Sequence, residues 1–445
     1  MRITKLRIRK LYGSMDKTIV FRDELNLLVG INGSGKTSIL NAIDWLLRPN
    51  LVKLATTHFE SLLLNFVHNE EHHELQAKQN NKQVRLSLKC TAGPVFKPII
   101  INLIANPKDV NQSTDLEHVN SHYASLTPDK NEEILWEYLK NIPKPIVISL
   151  DRTISAEVEE SNFSDREVRH RQHARSRTLH PLEKVREVTA TRYTQHRSKL
   201  IELNDELKAR IVMSAISVPA ALITGEKPTR RFSTEEIARL EQKVTSYLST
   251  AIQGKNPDKK IKTFFKGVQD LVTKYASIDK EHGQDFVWAL FARQYHQIEE
   301  LAQAFNEFEL GSALAYERLK LFFDQVNLFL QDSKKQVFFN TKLNQLSFKF
   351  INEDGSSVDD VSRSIYCMSS GEQQILILFT FLEFIAAPER IFIVDEPELS
   401  LHPKWQRDFL NAFLMLKPES TQILLATHSP EIVGKRKSEC LVLSA

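Results

Sequence analysis

One run constrains this chain more than any other: Gly30-Ile31-Asn32-Gly33-Ser34-Gly35-Lys36-Thr37. It is a glycine, four residues, then Gly-Lys-Thr. Glu24 to Val29 (ELNLLV), just before it, is an apolar run of strand length, and Ser38 to Ile43 with Trp45 to Leu47, just after it, carry apolar residues at helical spacing. Strand, glycine loop and helix together make the setting of a phosphate-binding loop. The glycines let successive backbone N–H groups converge on an anion at the positive end of a helix. In that setting Asn32, Gly33, Ser34, Gly35 and Ser38 line the phosphates. Lys36 reaches the β and γ phosphates, and Thr37 holds Mg2+ through its hydroxyl. ATP and GTP fit the loop equally well; the far end of the chain separates them.

Three further motifs follow in order there. Met368-Ser369-Ser370-Gly371-Glu372-Gln373-Gln374 opens an apolar helix expected over Ile375 to Ile385. Ser370 and Gly371 offer a hydroxyl and free N–H groups to an anion at that helix start, with Ser369 and Glu372 beside them in the same candidate set. Next, Ile391 to Glu396 (IFIVDE) reads as an apolar strand ending in two carboxylates. Pro397-Glu398-Leu399-Ser400-Leu401-His402-Pro403 continues from it. Last, Gln422 to Ala426 (QILLA) is another apolar strand, ending in Thr427-His428-Ser429-Pro430. Asp395 is placed to bind Mg2+, and Glu396 to act as general base on a water attacking the γ phosphate. His428 is placed to bond that phosphate and register its loss. A lone Asp-Glu or a lone His after a strand is a weak signal; their order behind a good phosphate loop is a strong one.

These residues resemble the ATP-binding-cassette (ABC) type of ATPase head of the SMC, RecF and overcoming-lysogenization-defect group. SSGEQQ is similar to that family's signature, IFIVDEPELSLHP to its Walker B and D-loop, and LLATHSP to its switch histidine. The likeness covers roughly 1–50 and 360–435. It implies an α/β fold: a P-loop ATPase head, with a mixed sheet and flanking helices, interrupted by a helical insertion. It implies ATP and Mg2+ as cofactors. It also implies a head-to-tail dimer or higher oligomer, in which one copy's Gly30 to Thr37 and another's Ser370 and Gly371 hold each ATP, with Ser400 and His402 across the interface. The family's Mg2+-binding glutamine has no clear counterpart; Gln76, Gln79 and Gln83 are the candidates. Nuclease-bearing relatives continue past the switch histidine, whereas Glu439 to Ala445 here offers only a final strand. The domain content is similar to that of the stand-alone ATPase subunits of anti-phage systems such as PARIS, Septu and retron-linked ATPases. That implies an ATPase sensor or scaffold controlling a separate nuclease or toxin. Two alternatives stand beside it: a RecF-like repair ATPase clamping duplex DNA, and an interaction scaffold with structural ATP.

The rest of the chain divides by texture. Residues 1–152 carry strand patterns and the loop, 153–330 carry a charged, glycine-poor helical insertion, and 331–445 return to strands and motifs. Ile3, Leu6 and Ile8 alternate with Lys5, Arg7 and Arg9, either near a bound nucleotide or on a solvated strand face. Residues 51–80 resist assignment, and 106–130 read as a loop. Leu200, Leu203 and Leu207, and later Leu301, Phe305 and Phe308, indicate a compact helical arm. Arg166 to Lys199 is basic, either neutralising nucleic-acid phosphates or lying on a solvated or acid-docking helix. His72-His73 with Glu70 and Glu71 match no metal spacing. With 445 residues, a net charge of +3 and three scattered cysteines, composition excludes a disulfide framework and leaves nucleic-acid binding to local patches. No stretch is apolar enough to span a membrane, so a cytoplasmic setting is expected.

Overall fold

The computed structural model describes residues 1–91, 94–105, 107, 116–149, 154–155, 180–216, 234–251, 261–267, 269–270, 284–386, 388 and 390–443. Asp151-Arg152 and residues 166–179 of the basic run lie outside them. The chain forms two compact units, Met1–Arg192 with Lys320–Ala445, and Tyr193–Leu319.

The first unit is layered. An antiparallel sheet contains β1 (Arg2–Leu11), β2 (Met15–Val20), β4 (Ser61–His68), β5 (Glu71–Gln79), β6 (Gln83–Cys90) and β7 (Ile99–Asn102), in the order β2-β1-β4-β5-β6-β7. A second sheet contains β3 (Leu25–Val29), β8 (Ile146–Ile148), β9 (Ile154–Ser155), β13 (Ile391–Asp395), β14 (Gln422–Thr427) and β15 (Cys440–Val442), in the order β15-β3-β14-β13-β8-β9. Its pairings are parallel except β8 with β9. The central strands are buried at every position of β13 and β14, which is why they read as unbroken apolar runs rather than alternating ones. Helix α1 (Lys36–Leu47) shares one apolar cluster with both sheets: Ile39, Ile43 and Leu46 pack with Leu6, Leu64 and Leu86 of one and with Leu28, Ile393 and Leu424 of the other. Burying α1 on two sides fixes the loop that precedes it. The buried Gln422 amide accepts from Ile3 N and donates to Ile3 O and Arg22 O, so all its polar atoms are met where β14 starts.

Two expectations change here. The unassigned 51–80 stretch holds α2 (Leu51–Thr56), β4 and β5, where alternate positions such as Leu62, Leu64, Phe66, His73, Leu75 and Ala77 are buried. The expected 106–130 loop contains α3 (Leu116–Ala124), whose Val119 and Tyr123, four apart, are buried, with the Tyr123 hydroxyl accepting from Ile104 N. Helix α4 (Glu133–Asn141) then leads into β8.

His73 packs inside. It stacks on Phe66 at 4.9 Å, and its Nε2 lies 2.6 Å from the Tyr138 hydroxyl. Burial, with Cys90 and Glu71 nearby, pushes the Tyr138 phenol up to about 12. Among the described residues no group of three His, Cys, Asp or Glu is placed to share a metal ion.

Helix α5 (Pro181–Ile216, 36 residues) and helix α7 (Gln284–Leu330, 47 residues) run through the boundaries of the second unit, which also holds α6 (Thr234–Ala251). Its core is Leu207, Ile237, Leu240, Ile261, Phe265, Ala304 and Phe305. Gly311 admits Leu203: a Cβ there would stand 2.9 Å from the leucine side chain. The unit is narrower than the expected 153–330. Arg192 donates to Phe384 O, and Phe322 and Phe329 pack on Phe384 and Phe379, so those helix ends belong to the first unit. The described part of the basic run is partly committed to local contacts, with Lys184 paired to Glu187 and Lys199 to Glu202.

After α7 come β10 (Lys335–Asn340), β11 (Gln345–Phe350) and β12 (Arg363–Ser364), a small antiparallel sheet, then α8 (Ser370–Thr380), which ends in a π turn at Phe381–Ile385. Helix α9 (Pro403–Met415) and the short α10 (Pro430–Val433) flank β14.

Candidate active site

Strand order assembles the site. β14 lies between β3 and β13, with Thr427 opposite Val29 and Ala426 opposite Asp395. Neighbouring strands stand about 4.8 Å apart, so the loop, His428 and the Asp395-Glu396 pair leave adjacent strand ends on one rim. Ligand sites of open parallel sheets form at such carboxyl ends.

The loop turns through glycines in left-handed conformation, Gly33 at φ +81° and Gly35 at φ +90°. Gly30 is required for a different reason: a Cβ there would lie 2.9 Å from Leu443 O. Helix α1 begins with no side-chain cap, and so presents its first N–H groups to the loop. Asn32, Gly33 and Thr37 are exposed, while Ser34 and Lys36 are buried.

The buried Lys36 ammonium donates to Gly30 O at 3.0 Å and Ile31 O at 3.3 Å, and it lies 2.7 Å from His428 Nε2. The same Nε2 is 3.0 Å from Glu396 Oε1. The Lys36 ammonium is also 3.3 Å from His428 Nδ1, so a ring protonated at Nε2 donates to Glu396 while Nδ1 accepts from Lys36, and a ring protonated at Nδ1 turns Nε2 to Lys36 alone. His428 is therefore poised between two partners. Glu396 itself has φ +49°, a conformation costing a non-glycine residue about 1 kcal/mol or more. It is held by Glu396 N donating to Ala426 O at 2.8 Å and by Leu399 N donating to Glu396 O at 3.2 Å.

Asp395 and Thr37 fit a divalent cation. Asp395 is buried, its Oδ1 has no hydrogen-bond partner, and the Thr37 hydroxyl bonds the carboxylate. Burial pushes the Asp395 pKa up and the neighbouring Glu396 charge adds to this, while the Thr37 hydroxyl and Lys36 oppose it. A carboxylate oxygen without a partner, next to a hydroxyl, is the hard-oxygen set that Mg2+ takes.

Ser369 to Glu372 form a second cluster. Ser369 caps α8, and Glu372 closes the capping box by accepting from Ser369 N at 2.8 Å. Both Glu372 oxygens also take the Lys335 ammonium, at 2.9 and 3.0 Å. Glu372 is 3% exposed, and the bonds to the helix start and to Lys335 turn its carboxylate toward the protein. Ser369 and Ser370 are exposed at the helix start. Gly371 sits against the D-loop: a Cβ there would lie 2.5 Å from Ser400 O.

Sequence reading assigned no role to Glu398. Its Oε1 accepts His428 N at 2.6 Å and Ser429 N at 3.1 Å. Only tertiary pairing shows this. Of the glutamine candidates, Gln79 is occupied by Phe59 N, Leu54 O and Thr57 O, and Gln76 and Gln83 lie opposite Ser87 and Asn102 in the antiparallel sheet.

A glycine loop, a strand ending in Asp-Glu and a histidine on the strand between them define a P-loop ATPase head. The protein belongs to the AAA ATPase domain family, which matches residues 1–433. A protein of Escherichia phage lambda, ea59, is 29% identical over 84 residues; these are 19% of this chain and 16% of that protein's length. The chain is also similar to an SMC head domain with an extended coiled coil from Pyrococcus furiosus, bound to the C-terminal domain of ScpA. Identity there is 13%, the TM-score 0.33, and coverage 97% of this chain and 91% of that one. For an SmcHead bound to the winged-helix domain of ScpA the values are 11%, 0.37, 100% and 95%.

Proposed function

We propose that this ATPase acts as an oligomeric sensor or scaffold. Two heads meet head to tail around ATP, and hydrolysis changes their hold on a separate nuclease or toxin effector in antiviral defence. The observation that carries the hydrolytic part is the Lys36–His428–Glu396 chain beside Asp395 and Thr37. Glu396 takes the proton of the water that attacks the γ phosphorus, the bond to the bridging oxygen breaks, and ADP and phosphate result. Mg2+ held by Thr37 and Asp395 would neutralise developing charge on the phosphate oxygens. His428 stays within reach of both Lys36 and Glu396, and so can trade one for the other as the phosphate leaves. The composite site is supported by the outward-facing Ser369 and Ser370 and by Ile31, 68% exposed on the loop rim. The effector rests on the resemblance of domain content. Among the described residues no helix is long and apolar enough to cross a membrane.

The test is a pair of variants. Lys36→Ala abolishes ATP binding by isothermal titration. Glu396→Gln binds ATP, traps a larger assembly in light scattering, and turns over at least 100-fold more slowly. Undiminished turnover in Glu396→Gln would refute the assignment.

A second reading, nucleic-acid binding, is favoured by one surface. The open face of the antiparallel sheet aligns Arg9, Ser61, Lys78 and Arg85 in one cross-strand row and sets Lys5 and Arg7 beside it. Among the described residues none of those five cations has a carboxylate partner. If all five neutralised duplex phosphates, the log–log salt slope of binding would be about −4.5. Arg7→Ala with Arg9→Ala would reduce its size by about 1.8. Absence of duplex binding at low salt would remove this reading.

A further inference from the structure

The D-loop and the switch histidine are joined by a closed ring of hydrogen bonds. Glu398 Oε1 accepts Ser429 N at 3.1 Å; the Ser429 hydroxyl donates to Gln406 Oε1 at 2.6 Å. Gln406 Nε2 donates to Leu401 O at 2.9 Å, and Leu401 N returns to Glu398 O at 2.9 Å. The same Glu398 Oε1 also takes His428 N at 2.6 Å. Ser429 N is shared with Thr427 Oγ1, and the Ser429 hydroxyl also accepts Ile432 N, so the start of α10 hangs on the same residue. The ring therefore holds three segments in register: the turn after β13, the first turn of α9, and the end of β14.

We infer that Glu398 is a positioning residue for ATP hydrolysis: its carboxylate oxygen fixes the backbone of His428 and Ser429, and Gln406 ties Ser429 to the D-loop carbonyl of Leu401.

The chemistry at Glu398 supports this over a direct catalytic role. Oε1 already serves two N–H donors, and Oε2 is buried without a partner. An oxygen filled by two backbone donors is an acceptor in use, and two such bonds orient a loop more tightly than one. The His428 ring lies within reach of both Lys36 and Glu396, so a shift of about 1 Å in its backbone would separate it from one of them. The ring also reaches outward. Ser400, between Glu398 and Leu401, carries the carbonyl against which Gly371 packs. Movement of the signature turn in one head would thus push on that head's own D-loop and, through Gln406 and Glu398, on its own His428.

The inference rests on the proposed ATPase reading, and the experiment separates the two. Steady-state ATPase kinetics and equilibrium binding of a fluorescent ATP analogue are measured for Glu398→Ala, Glu398→Gln and Gln406→Ala, with thermal melts as a folding control. Glu398→Ala lowers kcat about 100-fold while the analogue's Kd stays within twofold. Glu398→Gln restores most of the turnover, because the amide oxygen accepts the same two N–H groups. Gln406→Ala, which removes no group from the loop or Walker B, lowers kcat about tenfold with Kd unchanged. Wild-type turnover in Glu398→Ala overturns the inference. So does a Glu398→Gln variant as inactive as Glu398→Ala, since the carboxylate would then act by its charge. Equal losses in kcat and affinity also overturn it. Should Glu398→Ala fail to fold, the other two variants carry the same readouts. Glu396→Gln is run alongside: if it neither traps an assembly nor loses turnover, the ATPase reading itself fails, whatever Glu398 does.

Discussion

Glu372 offers the sharpest test of how the signature turn is held. Its side chain is 3% exposed, and both its oxygens are within 3.0 Å of Lys335 Nζ, itself 15% exposed. Replacing Glu372 by Gln keeps an oxygen for Ser369 N but removes the charge facing Lys335. Removing one partner of a buried pair typically costs 3–5 kcal/mol. Lys335 retains some exposure and lies 5.4 Å from the Phe348 ring centre, so a loss of about 2 kcal/mol is the better figure. Glu372→Ala adds the lost capping box, about 1 kcal/mol more. In differential scanning calorimetry at pH 7, Glu372→Gln lowers the melting temperature of the first unit by about 4 °C. The Glu372 pKa is held below 4.5: burial raises it, but the Lys335 ammonium and the Ser369 N–H together outweigh that. A carboxylate whose folded pKa is depressed stabilises above its unfolded value and loses that contribution as pH falls through the folded one. The gap between wild type and Glu372→Gln is therefore constant from pH 8 to about 5 and narrows below 4.5. A gap that persists unchanged at pH 3.5 would show that the charge is not its source. An unchanged melting temperature with tenfold weaker ATP binding would return Glu372 to the ligand set.

Other substitutions read the remaining contacts. Gly371→Ala forces a methyl to within 2.5 Å of the Ser400 carbonyl; a loss of about 1–3 kcal/mol in thermal stability is expected, with ATPase activity falling alongside it. Gly35→Ala meets only the mobile end of Met15, but its φ of +90° is left-handed, so about 1–2 kcal/mol of strain enters the loop and ATP affinity drops roughly tenfold by titration. Thr37→Ala shifts the Mg2+ concentration for half-maximal ATPase activity upward by an order of magnitude; an unshifted curve would exclude Thr37 as a metal ligand. Ile43→Ala, fully buried between the two sheets, costs about 2–5 kcal/mol in unfolding experiments.

The parts of the site that sequence exposed are those in which local chemistry and local conformation coincide. Gly30 to Gly35 form a loop because Gly33 and Gly35 occupy conformations other residues resist, and the helix that starts uncapped at Lys36 offers N–H groups suited to an anion. Asp395 and His428 are legible because buried parallel strands are continuous apolar runs, and both residues lie where such a run gives way to polar residues. What stayed hidden depends on neighbours remote in sequence. β4 and β5 bury alternate positions, yet the apolar Leu63 and Val67 on the open face of β4 and the polar His73 on the buried face of β5 mask the period. Glu372 matched a motif position that can face a ligand, and only Lys335, 37 residues away, shows that it faces inward.

Glu398 is the clearest case. It lies two residues from a carboxylate with an obvious role, and nothing local distinguishes it. Its meaning comes from His428 N, 30 residues on, across a strand pairing that sequence predicts only as adjacency, not register. β13 and β14 are buried on both faces, so no apolar–polar alternation sets their register, and the pairing of Asp395 with Ala426 that brings Glu398 to His428 comes from packing against the flanking layers. Sequence motifs thus supply the groups that touch the nucleotide, and the packing of the central strands supplies the distances at which they act.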